Sequence, residues 1–173
     1  MNTKISLLGL IEILSALSIG IFILAITYQA VRVYGRRRYD IQANNLAYSL
    51  FTAAILFSIG YLVSGVIQPL ISLFRLLAAR QNDSIDLALS FIGTGAIYIA
   101  LAYTSGVIIV VSGIAIYTFI TPIDEFRELK NNNIGVAVIV GTIIITLSMM
   151  ARDGVSLLIE SLIPYPEQFP GVG

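Results

Sequence analysis

Hydrophobic residues fill this chain in four long blocks, 5–33, 46–77, 85–120 and 134–163, separated by short polar breaks. Each block exceeds the roughly 20 residues that a helix needs to cross about 30 Å of hydrocarbon. Each is also far longer than a barrel strand of about 9–11 residues, and a spanning segment must satisfy its own backbone hydrogen bonds, so the pattern predicts helices. The breaks fall at 35–40 (Gly-Arg-Arg-Arg-Tyr-Asp), 80–84 (Arg-Gln-Asn-Asp-Ser) and 124–133. The fold class expected is all-α, a polytopic helical membrane protein with four transmembrane helices.

The blocks pair off. Asn44-Asn45-Leu46-Ala47-Tyr48-Ser49-Leu50 aligns with Asn132-Asn133-Ile134-Gly135-Val136-Ala137-Val138, and further on each copy reaches a glycine, Gly65 and Gly154. Each then enters a shorter amphipathic stretch, 66–77 with Pro69 and Arg75, and 155–163 with Glu160 and then Pro164. Such internal similarity predicts two tandem helix-hairpin units. Two crossings return the chain to its starting side, so the units run parallel, unlike the inverted repeats of many transporters. The division expected is 1–80 and 81–165 as the two units, with 166–173 an irregular Pro- and Gly-rich tail.

Charge gives the blocks a direction. Six of the ten Lys and Arg residues (Arg32, Arg36, Arg37, Arg38, Arg127, Lys130) sit in the first and third connections, against Lys4, Arg75 and Arg80 opposite. By the bias of basic residues toward the cytoplasmic side, both termini should face outward. Lys4 followed by an apolar run suggests a signal peptide, but Glu12 interrupts it and the apolar block continues, so an uncleaved first span is expected.

Composition removes much chemistry. Hydrophobic residues make up 57% of the 173, charged residues 12%, and net charge is zero, so no basic field recruits nucleic acid. There is no Cys and no His, which excludes disulfides, thiolate clusters, imidazole-bound metals and a Ser-His-Asp triad. Asp40, Asp124, Glu125 and Glu128 lack a metal-binding or catalytic spacing. No catalytic residue, cofactor or metal is expected.

Ionisable residues within a bilayer mark function by default, which singles out Glu12, Arg152 and Asp153. Counted along the helices, Glu12 lies about 30 Å from Arg32 and Arg152 about 27 Å from Ile134, at the outer boundary of the hydrocarbon. Two readings stand: interfacial groups, with Glu12 pairing Arg152, or an ion or ligand vestibule. Asn45 and Asn133 open the second and fourth blocks, where asparagine is a favoured helix cap; the rival reading puts them at a polar mouth or against a partner. The Gly, Ser and Thr residues of the spans suit close helix packing, and alternatively a pore shared between subunits. Arg36, Arg37 and Arg38 are read as topology determinants that also attract anionic lipid.

Residues 39–47 (Tyr-Asp-Ile-Gln-Ala-Asn-Asn-Leu-Ala) and 121–134 (Thr-Pro-Ile-Asp-Glu-Phe-Arg-Glu-Leu-Lys-Asn-Asn-Asn-Ile) carry an acidic, polar helix lead-in, then Asn, then a span rich in small residues. In this the chain resembles the YjfL-type family of bacterial inner-membrane proteins, built from a tandem two-helix domain of unknown function, over most of residues 35–165. Gly135 in place of Ala47 and the long 85–98 lead-in depart from that pattern. The resemblance implies a bacterial inner-membrane location and a link to membrane stress, without an agreed activity. The function expected is a non-enzymatic membrane scaffold or accessory subunit, in contact with membrane lipids and either self-associated or part of a larger membrane complex. The alternative is an oligomeric small channel or transporter subunit.

Overall fold

The computed structural model describes residues 3–42, 44–80, 84–121 and 124–163; side chains are described from Leu17 onward, residues 79, 80 and 84 excepted. Every regular element among the described residues is helical: α1 Thr3–Tyr39, α2 Leu46–Ser64, α3 Ile67–Arg80, α4 Ser84–Ile120, α5 Glu125–Lys130 and α6 Ile134–Glu160. Four stretches, Leu17–Tyr39, Leu46–Ala78, Ile85–Ile120 and Ile134–Glu160, are long and apolar enough to cross a membrane.

The arrangement follows from which faces meet. α2 packs most extensively on α6, and α4 closes the triangle against both. α1 lies along α2, while α3 folds back on α4. In its most apolar window α2 is 56% buried and α1 only 11%, so α2 is the central post and α1 a flanking one. The core is the seam of the triangle, filled by Phe51, Ile55, Ile59, Leu62, Val140 and Ile144, each 5% exposed or less.

Close approach in that seam depends on missing side chains. A Cβ placed on Gly141 would lie 3.0 Å from the Cβ of Ala54, and one on Gly113 would lie 3.0 Å from Ile144 Cγ1. These contacts give the small residues of the spans a packing role where α2 meets α6 and α4 meets α6. Such close backbone approach brings more atoms of the two helices into van der Waals contact. Gly20, Gly93 and Gly154, by contrast, face open space.

Two boundaries differ from those expected. Residues 35–39 belong to α1, which runs to Tyr39, so Arg36, Arg37 and Arg38 form its last turn and not a loop. Arginine is a good helix former, and the helix stops only where Asp40 takes a positive φ of 52°. The 124–133 connection, expected to be a plain break, holds the short helix α5, capped by Asp124, whose Oδ1 accepts from Arg127 N–H at 3.2 Å.

The break between α2 and α3 has a covalent cause. Pro69 has no N–H to give to the carbonyl four residues back, and its ring crowds that carbonyl, which belongs to Gly65. The chain tightens there into a 3₁₀ turn, with Gly65 N–H on Leu62 O at 3.1 Å and Val66 N–H on Val63 O at 3.0 Å.

Candidate functional site

The end of the molecule where α1 meets α2 and α5 meets α6 carries most of the polar organisation. Asn45 caps α2 with a backbone in the extended region (φ −74°, ψ 113°), its Oδ1 accepting from Tyr48 N–H at 2.7 Å. Asn133 caps α6 with nearly the same backbone (φ −75°, ψ 96°), its Oδ1 accepting from Val136 N–H at 3.3 Å. Both asparagines therefore perform the capping role that their position allows.

They differ in what the amide nitrogen does. Asn45 Nδ2 donates across the molecule to Leu129 O at 2.7 Å and Lys130 O at 3.1 Å, adding a side-chain donor to carbonyls at the C-terminus of α5. Asn133 Nδ2 donates locally, to Glu128 Oε2 at 2.8 Å. A reciprocal bond runs the other way, from Ala47 N–H to Asn132 Oδ1 at 2.9 Å.

Asn132 is free to reach α2 because it has left the helical path. Its φ is 60°, and α5 ends in a Schellman motif: Asn132 N–H bonds Leu129 O and Asn133 N–H bonds Glu128 O, both at 3.0 Å. In the run Asn131-Asn132-Asn133 the first residue is the C-cap of α5, the second spans to α2, and the third caps α6. Asparagine suits the middle position because it tolerates the left-handed region better than other side chains.

Aromatic rings seal this end. Phe126 of α5 stacks on Tyr39 (4.6 Å between centroids) and meets Tyr34 and Phe51 edge-on at 5.4 and 5.9 Å. Tyr48 reaches back over Gly35, where any Cβ would overlap its ring, and donates to Val31 O at 2.6 Å. Glu125 is 4% exposed, the one buried carboxylate among the described residues, and accepts from Thr118 Oγ1. No three acidic residues among those described converge on a common point that could hold a metal ion.

Arg152 and Asp153 belong to the opposite end, about 28 Å along α6 from Asn133. Arg152 lies 5.1 Å above the Tyr61 ring, and its NH1 is 3.7 Å from Asp153 Oδ1, a contact in which the Asp153 side chain is 92% exposed. An exposed pair of that length contributes little. The side chain of Glu12, expected as the partner of Arg152, lies outside the described residues. Beside Arg152, Ser156 Oγ donates at 3.0 Å to Gly65 O, the carbonyl left without a helical donor by Pro69.

Asn45 and Asn133 are thus brought to one end, with Arg36, Arg37 and Arg38 exposed nearby on α1, while Arg152 and Asp153 stand apart at the other. Sequence reasoning missed Asn132, Tyr48, Glu125 and Ser156. Only the triple-asparagine run held a local signal; the other three act through partners remote in sequence or on another helix.

Residues 90–163 match the family model described as Domain of Unknown Function (DUF350). The match takes in most of α4, all of α5 and α6, and the cap Asn133, but not Asn45 or the arginine run. No curated protein and no solved structure matches the chain.

Proposed function

We propose that the chain is a multi-pass protein of a bacterial inner membrane, built as two tandem parallel helix-hairpin units with both termini outside the cytoplasm, and that it serves as a non-enzymatic scaffold or accessory subunit. The observation that carries the scaffold reading is the filled seam: Phe51, Ile55, Ile59, Leu62, Val140 and Ile144 occupy the interior where a conduit within one copy would have to run. Such a body holds its helices in fixed relation and offers its ends and outer faces to other molecules.

Supporting the two-unit organisation, α2 and α6 start from asparagine caps of the same backbone geometry. Supporting the orientation, four arginines cluster at one end of the first span. Supporting partner contact, α1 and α4 each have 37 residues, so each is about 55 Å long against about 30 Å of hydrocarbon. A link to envelope maintenance rests on the family resemblance alone.

The test is the native mass and composition of the complex after gentle extraction. Stoichiometric companion proteins would support an accessory subunit. A homo-oligomer that conducts ions in reconstituted vesicles would replace this reading with the channel, whose path would then have to lie between copies.

A further inference from the structure

We propose that one face of α1 is a binding groove for an anionic phospholipid, an inference that rests on the membrane reading above. Ala30, Val33, Tyr34, Arg37 and Arg38 recur at i, i+3, i+4, i+7 and i+8, the spacing of a single helical face. Together they line a shallow groove on the helix surface that is largely open to the surroundings. Its chemistry is graded along the helix: an apolar floor at Ala30 and Val33, and the arginines Arg37 and Arg38 on average about 9 Å further on. A phospholipid lying against a transmembrane helix has the same gradient, with acyl chain toward the bilayer centre and phosphate at the interface. Tyr34, held by ring contacts to Tyr39 at 5.8 Å and Phe126 at 5.4 Å, forms a fixed wall between the two zones.

Charge selects the occupant. Among the described residues no carboxylate lies within ion-pair distance of Arg32, Arg36, Arg37 or Arg38. Three acids at this end have other partners: Asp124 caps α5, Glu125 accepts from Thr118, and Glu128 accepts from Asn133, while Asp40, two residues beyond Arg38, is exposed and makes no ion pair with the run. α4, which ends at the same level, has no basic residue in its last turn. Arginine forks match phosphate oxygens, so the unpaired guanidinium groups beside an apolar floor fit a lipid with net negative charge.

The experiment is lipid retention by the full-length protein, measured by native mass spectrometry with phosphatidylglycerol and phosphatidylcholine. Preferential retention of phosphatidylglycerol is expected. Arg37→Gln with Arg38→Gln should weaken it about thirtyfold, at roughly fivefold per basic residue. Arg32→Gln with Arg36→Gln removes the same charge from the other side of the helix and should change retention less than about threefold. Ala30→Trp should displace the lipid by filling the floor without altering charge.

Equal losses from the two arginine pairs would reduce the contact to diffuse attraction and overturn the groove. Competition by soluble glycerol phosphate would make it a plain anion site, and equal retention of phosphatidylcholine would remove the charge selection. Resistance to carbonate extraction is measured alongside. A wild-type chain that washes off the membrane sinks the membrane reading itself, whereas an integrated chain without lipid preference sinks only the groove.

Discussion

α2 and α6 begin alike and end differently. Each starts at an asparagine with extended backbone and a side-chain oxygen on the N–H three residues on. α2 then stops at Ser64, whereas α6 runs unbroken to Glu160, past Gly154. Glycine alone is therefore not the stop signal, since Gly65 and Gly154 are both helical in φ and ψ or within a helix. The difference is Pro69, which removes a donor one turn after Gly65. The continuous helix then repairs the broken one, because Ser156 of α6 supplies the hydrogen bond that Pro69 cannot. Both helix starts carry a local asparagine cap, while the break in one helix is made good by its neighbour.

The sharpest way to break the comparison is at the first turn of α2, where Tyr48 covers Gly35; α6 has Val136 at the corresponding place and makes no such contact. Gly35→Ala forces the ring off α1 and costs the bond to Val31, so a loss of about 3 kcal/mol is expected in denaturant unfolding followed by far-UV circular dichroism in mild detergent. An unchanged midpoint would mean that α1 is not anchored through Tyr48.

Next come the two caps. Asn45→Ala loses the cap and both bonds to α5, about 2 kcal/mol, whereas Asn133→Ala loses a longer cap and an exposed local bond, about 1 kcal/mol or less. Equal costs would show that the cross-molecule bonds of Asn45 add nothing.

Asn132 separates conformation from hydrogen bonding. Asn132→Gly keeps the positive φ and forfeits only the acceptor for Ala47 N–H, about 1 kcal/mol; Asn132→Ala should cost about 1 kcal/mol more through backbone strain. The same unfolding assay decides it, and an alanine variant as stable as the glycine one would contradict the left-handed assignment.

The smallest effect is the most diagnostic. Ser156→Ala should cost about 1 kcal/mol alone. With Pro69→Ala, which restores an N–H one turn after Gly65, its cost should fall toward zero in a double-mutant cycle. Additive losses would show that Ser156 does not substitute for the missing donor.

The all-helical class and the four long apolar helical stretches were legible from block length, because a helix that satisfies its own backbone can carry an unbroken apolar run. Asn45 and Asn133 were legible as caps for the same local reason. The arginine run was misread as a loop: charge marks where a span leaves the hydrocarbon, but nothing obliges the helix to end there, and Gly35 was needed for Tyr48 and not for a turn. The bonds from Asn45 to Leu129 and Lys130 were invisible, since their partners lie 84 and 85 residues away and a single sequence carries no record of such pairings. Ser156 was hidden likewise, because its value comes from a proline on another helix.

The crossed asparagine bonds also set an order of events during synthesis. The N–H of Ala47 finds its acceptor 85 residues later in the chain. At about 5–20 residues per second the ribosome needs roughly 4–17 s to deliver it. Through that interval α1 and α2 wait with the entrance of α2 only half secured, and the emergence of Asn132 is the moment at which the N-terminal half is clasped shut.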